Sequence, residues 1–474
     1  MSDNQSALAD IAPIPPVSRV ITIAAAAAMG GFLFGFDTAV INGAVAAIRD
    51  WSGATPVLLG FSVSGALLGC AVGAWYAGAL ASHLGRIRVM QIAALLFFVS
   101  SLACGLAWDI WSLTVFRLVG GLAVGAASVI APAYIAEVSP ASIRGRLGSM
   151  QQLAIVTGIF TALLIDYALA AAAGGAAQQL WLGLEAWRWM FISECVPALI
   201  YGALALRIPE SPRFLVAKRR LDEAARVLRH YVGGSIQEKI DQIEQTLDRE
   251  SKQSFALLRS SGTVLLPVVW IGILLSMFQQ LVGINVIFYY SSVLWQAVGF
   301  DESSALMTTV ITSVTNILTT VVAILLIDKV GRKPLLLVGS IGMALSLGTM
   351  AFIFGTAPTE LVDGALQPVL PGATGLIAVV AANLYVVFFG VSWGPVVWVL
   401  LGEMFNNRIR AYAIAVAGAA QWIANFVVSQ TFPPLAEVGL GLAYGIYTTM
   451  AVLSLFFVAK FVKETRGREL EEME

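Results

Sequence analysis

The sequence predicts an all-α membrane protein, with twelve transmembrane helices in two parallel, pseudo-symmetric six-helix bundles. Three observations predict it. Of 474 residues, 58% are hydrophobic and only 12% charged, and the mean hydropathy is +0.83, whereas about a quarter of residues in soluble domains are charged. Apolar runs of roughly 20 residues, the length a helix needs to cross the hydrocarbon core, recur along the chain. Short motifs in the first half reappear in the second.

The spans are expected at 20–48, 57–80, 89–109, 112–138, 147–172, 187–207, 262–294, 303–327, 335–356, 374–402, 411–433 and 441–462. The first run is too long for a signal-peptide core and follows no basic leader or small-residue cleavage site, so it is expected to be retained. Of the 28 Lys and Arg, only Arg49, Arg117 and Arg188 lie away from the termini and the even-numbered connections. The positive-inside rule makes that basic side cytoplasmic, with both termini inside, in a plasma (inner) membrane. The opposite loops carry Asp109, Asp301, Glu302, Glu360, Asp363 and Glu437.

Residues 208–261 interrupt the apolar pattern with mixed charge, which divides the chain into bundle 1–207, linker 208–261 and bundle 262–474. In "LDEAARVLRHYV", Leu221, Ala224, Ala225 and Leu228 share one helical face, as in a solvated linker packed on a bundle. The segment 356–372, with its Pro and Gly, predicts a longer outer loop.

"LGRIR" at Leu84 matches "VGRKP" at Val330, an offset of 246, and "EVSPASIRG" at Glu137 matches "EMFNNRIRA" at Glu403, an offset of 266. An even number of spans per half makes the repeats parallel, and two such halves around a central cavity describe an alternating-access transporter. Glu137 and Arg144, with Glu403 and Arg410, stand at the inner ends of spans, where ion pairs could close the inner face and break when it opens.

The spans also contain polar residues that need a reason. The seventh offers "FQQLVGINVIFYY", with Gln279, Gln280, Asn285 and Tyr289; Gly283 permits a local break that turns the amides toward a cavity. Asn316, Trp398, Gln421, Trp422 and Asn425 extend this chemistry, and Gln152 is the main counterpart in the first half. Each amide alone fits an interhelical hydrogen bond. Together with two Trp they suit a neutral polyol, whose hydroxyls need groups that both donate and accept. Asp37, in "GGFLFGFDTAV", is the one charge between Val20 and Ile48. Intramembrane ionisable residues are rare and functional by default. Arg117, in "TVFRLVGG", lies at a matching depth, so the two can meet, either as a permanent ion pair or as a pair whose separation lets Asp37 take up a proton. Glu194 is a second buried carboxylate of the same kind.

These residues resemble the sugar porter family of the major facilitator superfamily over nearly the whole chain. "RGRLGSMQQLAIVTG", "PESPRFL", "QQLVGINVIFYY", "DKVGRK", "WGPVVWVLLGEMF", "AIAVAGAAQWIANF" and "KETRGR" fall in the family's order and spacing. The second half is especially similar to bacterial proton-coupled xylose symporters, and glucose facilitators share most of the pattern. The resemblance implies that Gln152, Gln279, Gln280, Asn285, Asn316, Trp398, Gln421 and Trp422 bind a hexose or pentose, with Tyr289 and Phe34 as aromatic cavity positions. It implies that Asp37 is the proton site, paired with Arg117, and it adds Glu210, Arg213, Asp328 and Arg332 to the inner gate. The partners implied are a monosaccharide, a proton and the lipid bilayer, with the monomer as the working unit and no cofactor or metal.

Three departures stand out. Ser82 occupies the position of the family's Asp before Gly85 and Arg86, with His83 next and Ile87 where a basic residue is common, whereas Asp328 with Gly331, Arg332 and Lys333 is intact. Lys463 replaces a usual Pro. Ile159, two turns beyond Gln152, is apolar where the xylose symporters carry an amide, which tilts the expectation toward glucose.

Other classes fit poorly. The net charge of -1 and pI near 6.2 offer no basic surface for nucleic acid. Only two His occur, His83 and His230, with no catalytic motif, and "GGLAVG" at Gly120 follows no strand, so it predicts close helix approach and no nucleotide loop. Short tails argue against a sensor, and amides clustered in one half argue against the polar rings of a channel. Cys70, Cys104 and Cys195 are expected as buried thiols, with no metal-ligand spacing.

Overall fold

The computed structural model describes residues 11–13, 15–140, 144–251, 258, 265–362, 365–405 and 409–465. Helix is the form in which an apolar segment satisfies its own backbone in lipid, and it dominates here. Span one is α1 (Val17–Ala39) followed by α2 (Ile41–Ser52), with a break at Val40. Spans two to five are α3 (Pro56–Leu84), α4 (Arg86–Gly105), α5 (Ile110–Val138) and α6 (Arg144–Ala173). The Ala-rich end of span five therefore stays helical. Span six is divided at Glu194 into α7 (Ala186–Ser193) and α8 (Cys195–Ala205). Among the described residues, eleven stretches are long and apolar enough to cross a membrane by themselves, and this jointed pair is the twelfth expected span.

The linker forms α9 (Pro212–Ala217), α10 (Leu221–Tyr231) and α11 (Ile236–Ser251). Phe214, Leu215, Val216, Ala224, Leu228, Ile236 and Ile240 give it a small core of its own. Ala224 and Leu228 face inward as the pattern predicts, but Leu221, at the first residue of α10, is 38% exposed because the helix has no preceding turn to cover it. A two-residue strand, β1 (Ile11–Ala12), pairs antiparallel with Gly234–Ser235 and ties the N-terminal segment to the linker.

The second set of spans begins with α12 (Pro267–Leu281) and α13 (Ile284–Ala297), which together make span seven. Spans eight and nine are α14 (Glu302–Val330) and α15 (Arg332–Thr356). Span ten is α16 (Thr374–Val391) with α17 (Trp393–Met404), and spans eleven and twelve are α18 (Arg410–Val438) and α19 (Leu440–Phe461). The expected outer loop after span nine carries an antiparallel hairpin, Thr359–Val362 with Ala365–Pro368, which its Pro- and Gly-rich flanks did not foretell.

The "GGLAVG" stretch performs the packing role its composition predicts. A Cβ on Gly121 would lie 1.9 Å from the Ala66 carbonyl oxygen, and one on Gly125 would lie 2.1 Å from that of Cys70. Gly69 and Gly73 reciprocate from α3, each within 2.2 Å of an α5 carbonyl by the same measure. Spans two and four thus touch backbone to backbone. Spans one and five do likewise, through Gly35 against Ile155 and Gly158 against Phe32. Gly121→Val should force α3 and α5 apart and lower stability by ~1–3 kcal/mol, the usual cost of overpacking. A thermal-unfolding midpoint equal to wild type in purified protein would contradict this contact.

Candidate functional site

The site grows from a break in span seven. Gly283 adopts φ 85°, in the left-handed region, and with Val282 forms the two-residue break between α12 and α13. The Val282 carbonyl freed there accepts the Tyr385 hydroxyl at 2.9 Å, so the backbone is repaired from span ten. A chain of amides then runs across the break. Asn285 Nδ2 donates to Gln280 Oε1 at 2.6 Å, and Gln280 Nε2 approaches Gln279 Oε1 at 3.4 Å. Gln279 Nε2 donates to the carbonyls of Trp393 and Gly394, at 2.9 and 3.0 Å. The break at Gly283 thus brings together Gln279, Gln280 and Asn285, and α17, the helix carrying Trp398, joins them.

Trp398 lies one turn after Gly394 on the same helix face and is 44% exposed, so it borders open space. Tyr289 stands within reach of Asn425, whose Oδ1 accepts the Ser429 hydroxyl at 3.2 Å. Asn316 is buried beside Gly390, where a Cβ would come within 3.6 Å of its Oδ1. Gln421 has a buried Oε1 with no hydrogen-bond partner among the described residues. Trp422 meets Phe34 of span one, with ring centres 5.9 Å apart, so the aromatic lining crosses between the two halves. Gln152 is half-buried, while its neighbour Gln151, which the sequence pattern did not single out, is buried, and neither of its amide atoms has a hydrogen-bond partner among the described residues.

Asp37, Arg117 and Glu194 are 4%, 2% and 0% exposed and lie within electrostatic reach of one another. The expected meeting of Asp37 and Arg117 is incomplete. Asp37 Oδ2 and Arg117 Nε and Nη1 have no hydrogen-bond partner among the described residues, and the guanidinium stands 5.8 Å over the Phe191 ring. Gly120 leaves room for the carboxylate, since a Cβ there would lie 3.2 Å from Asp37 Oδ1. Glu194, at the joint of span six, accepts the Ser101 hydroxyl at 2.8 Å.

On the linker face, two charge clusters mirror each other. Arg86 grips Glu137 through Nε at 3.0 Å and Nη2 at 2.7 Å, and Arg332 grips Glu403 with the same two distances. Glu210 accepts the backbone N–H groups of Arg86 and Ile87, and Glu464 those of Arg332 and Lys333, so each caps the N-terminus of a span. Ser211 donates to Glu137 at 2.5 Å and Thr465 to Glu403 at 2.6 Å. Gly85 and Gly331, at φ 94° and 101°, make the turns, and a Cβ on either would run into the capping carboxylate.

Among the described residues Glu137 is gripped by Arg86, which lies in the repeated "LGRIR" but was not singled out as a gate residue. Glu464, Ser211 and Thr465 were missed too, although "PES" and "KET" repeat the same pattern. The side chains of Arg144, Asp328 and Arg410 lie outside the described residues; Arg213 is half-buried in α9. Ser82 is exposed and bonds back to the Ala79 carbonyl at 2.7 Å, outside the first cluster.

The opposite face is sealed between halves. Asn42 Nδ2 of α2 donates to the Phe288 carbonyl at 2.9 Å and to Ser291 Oγ at 3.0 Å. Ser292 returns its N–H to Asn42 Oδ1 at 3.1 Å and its hydroxyl to the Asn42 carbonyl at 2.5 Å. Gln430 of α18 reaches Ser64 and the Val57 carbonyl of α3, both at 2.9 Å, and Glu302 accepts the Ala176 N–H at 2.8 Å.

A family model described as "Sugar (and other) transporter" matches residues 23–474. The chain is 58% identical over 459 residues to a glucose transport protein of Synechocystis sp., covering 96% of this chain and 97% of that one. It is 38% identical over 493 residues to the D-xylose-proton symporter of Escherichia coli, covering 96% and 95%. The inward open structure of the xylose transporter XylE from E. coli superposes with TM-score 0.80 at 37% identity, over 96% of this chain and 99% of that one.

Glu210→Ala and Glu464→Ala should each cost ~1–3 kcal/mol, the worth of a charge-assisted bond. Because the bonds described for the two clusters lie in different halves of the chain, the double variant should lose the sum to within about 0.5 kcal/mol. Thermal midpoints of the two singles and the double check this; a strongly non-additive double would join the clusters into one network.

Proposed function

The chain belongs to the family of sugar (and other) transporters, and from that premise we propose that it imports a monosaccharide, glucose ahead of xylose, together with a proton. It is a sugar transporter of the major facilitator fold, not an enzyme. In this reading residues 1–207 and 262–474 are the two moving units, 208–261 joins them, and the monomer is the working unit. The basic linker face is cytoplasmic, with both termini inside an inner membrane.

The proton coupling rests above all on one observation: Asp37 and Arg117 are buried opposite charges that face each other without bonding. Separating such a pair leaves a carboxylate whose desolvation only a proton or the returning guanidinium can offset. The hydrogen bonds of Asn42, Gln430 and Glu302 join the halves on the external face. The likeness to an inward open xylose transporter supports the same assignment of state. Outward opening would part these bonds and draw the cytoplasmic ends together, with the Arg86 and Arg332 clusters keeping each half rigid.

The sugar would lie against Trp398, Gln280 and Asn285. Gln279 commits its N–H groups to Trp393 and Gly394, so it orients the relay; Gln280 and Asn285 keep an N–H and an Oδ1 for hydroxyls. Gln152, Asn316, Gln421, Trp422, Asn425, Tyr289 and Phe34 would complete the lining. Ile159 favours glucose, as does the similarity to a glucose transport protein.

The experiment is sugar-triggered external alkalinisation by cells carrying the protein, comparing glucose with xylose, with and without a protonophore. Coupled transport gives alkalinisation; saturable uptake without proton movement would make the protein a facilitator and Asp37 a structural residue. Asp37→Asn should abolish accumulation against a gradient while sparing exchange, and preserved accumulation would refute the coupling role. Gln280→Ala should weaken sugar binding by about tenfold or more, since buried hydroxyls lose their partner. Binding measured by calorimetry at wild-type affinity would remove Gln280 from the site.

A further inference from the structure

Asp166 takes no part in the machinery described above, yet it is wholly buried in span five. Its Oδ2 accepts the Gly43 backbone N–H at 3.2 Å, and its Oδ1 has no partner among the described residues. Gly43 is the third residue of α2, so this N–H belongs to the first turn, whose donors a helix cannot satisfy internally. The approach requires glycine. A Cβ on Gly43 would lie 2.6 Å from the Asp166 Cβ and 2.7 Å from its carboxyl carbon.

The position of this bond gives it a consequence. On the cytoplasmic side of the Val40 break, α1 and α6 are fastened backbone to backbone through Gly35 and Gly158. Beyond the break, the bond from Asp166 to Gly43 is the hydrogen bond that joins α6 to α2 among the described residues. The preceding residue, Asn42, carries the seal to span seven. Residues 42 and 43 are thus held from opposite sides, one by each half of the protein.

We propose that Asp166 is a positioning residue of the external gate: by capping the first turn of α2 it holds Asn42 in register with Phe288, Ser291 and Ser292. The inference rests on the alternating-access reading above. Loss of the cap would weaken the closed external face and raise the population that is open outward, a shift limited by the energy of one hydrogen bond.

Asp166→Ala should therefore lower the KM for external sugar by about three- to tenfold and lower maximal uptake. Asp166→Asn keeps an acceptor oxygen and should restore both. Gly43→Ala, which displaces the carboxyl without removing it, should reproduce the split and serves if the first variant fails to reach the membrane. Backbone hydrogen exchange of residues 41–52 should be faster in Asp166→Ala than in Asp166→Asn, a difference readable even if the protein carried no sugar. Wild-type KM in Asp166→Ala or Gly43→Ala, an Asn variant as impaired as the Ala variant, or equal exchange in the two would overturn the proposal. Absence of sugar uptake by the wild type would instead sink the transport reading.

Discussion

Every backbone N–H and carbonyl inside a bilayer needs a partner within the protein, and the architecture of this chain follows from how that requirement is met where helices stop. Like span six at Glu194, spans one, seven and ten are interrupted along their length. At span seven, Tyr385 supplies the missing partner for Val282; at span one, Asp166 does so for Gly43. Each interruption exposes polar backbone where a regular helix would offer only side chains. The amide relay of Gln279, Gln280 and Asn285 is anchored on two carbonyls beside the third interruption, at Ser392. The breaks are therefore what makes a polar site possible in an apolar bundle.

The charges obey the same economy on a larger scale. Asp37, Arg117 and Glu194 sit deep in the first bundle, where each would be costly alone, and they are gathered within reach of one another. Those at the linker face are arranged differently, as bidentate Arg–Glu pairs closed by a hydroxyl and a capping carboxylate. Fork-to-fork geometry fixes orientation as well as distance, so each cluster stiffens its own half. In the proposed alternating-access reading, rigid halves would let a small change at the centre become a large one at the faces.

Much of this was legible in the sequence. Hydropathy gave twelve spans because the bilayer imposes a similar minimum length on all of them, and the repeat gave the two halves because duplicated motifs keep their order. Gly283 announced its break, and Gly120 to Gly125 their close contact. Partners across space were less legible. Glu137 was grouped with Arg144, whose side chain lies outside the described residues, and the grip of Arg86 on Glu137 from another span was not foreseen. Asn42 and Asp166 were not singled out in the sequence, and only the fold shows what stands opposite them. The hairpin after span nine and the joint at Glu194 lie where local pattern is weak, and tertiary packing decides them.

The caps on Arg86 and Arg332 come from Glu210 and Glu464, residues that follow the last span of each half. A ribosome makes span three long before it makes Glu210, and span nine long before Glu464. Each half must therefore thread all six of its spans before its own latch can close. The latch is in that sense a late contact: a half cut after its sixth span would lack the carboxylate that caps its third span from the N-terminal end.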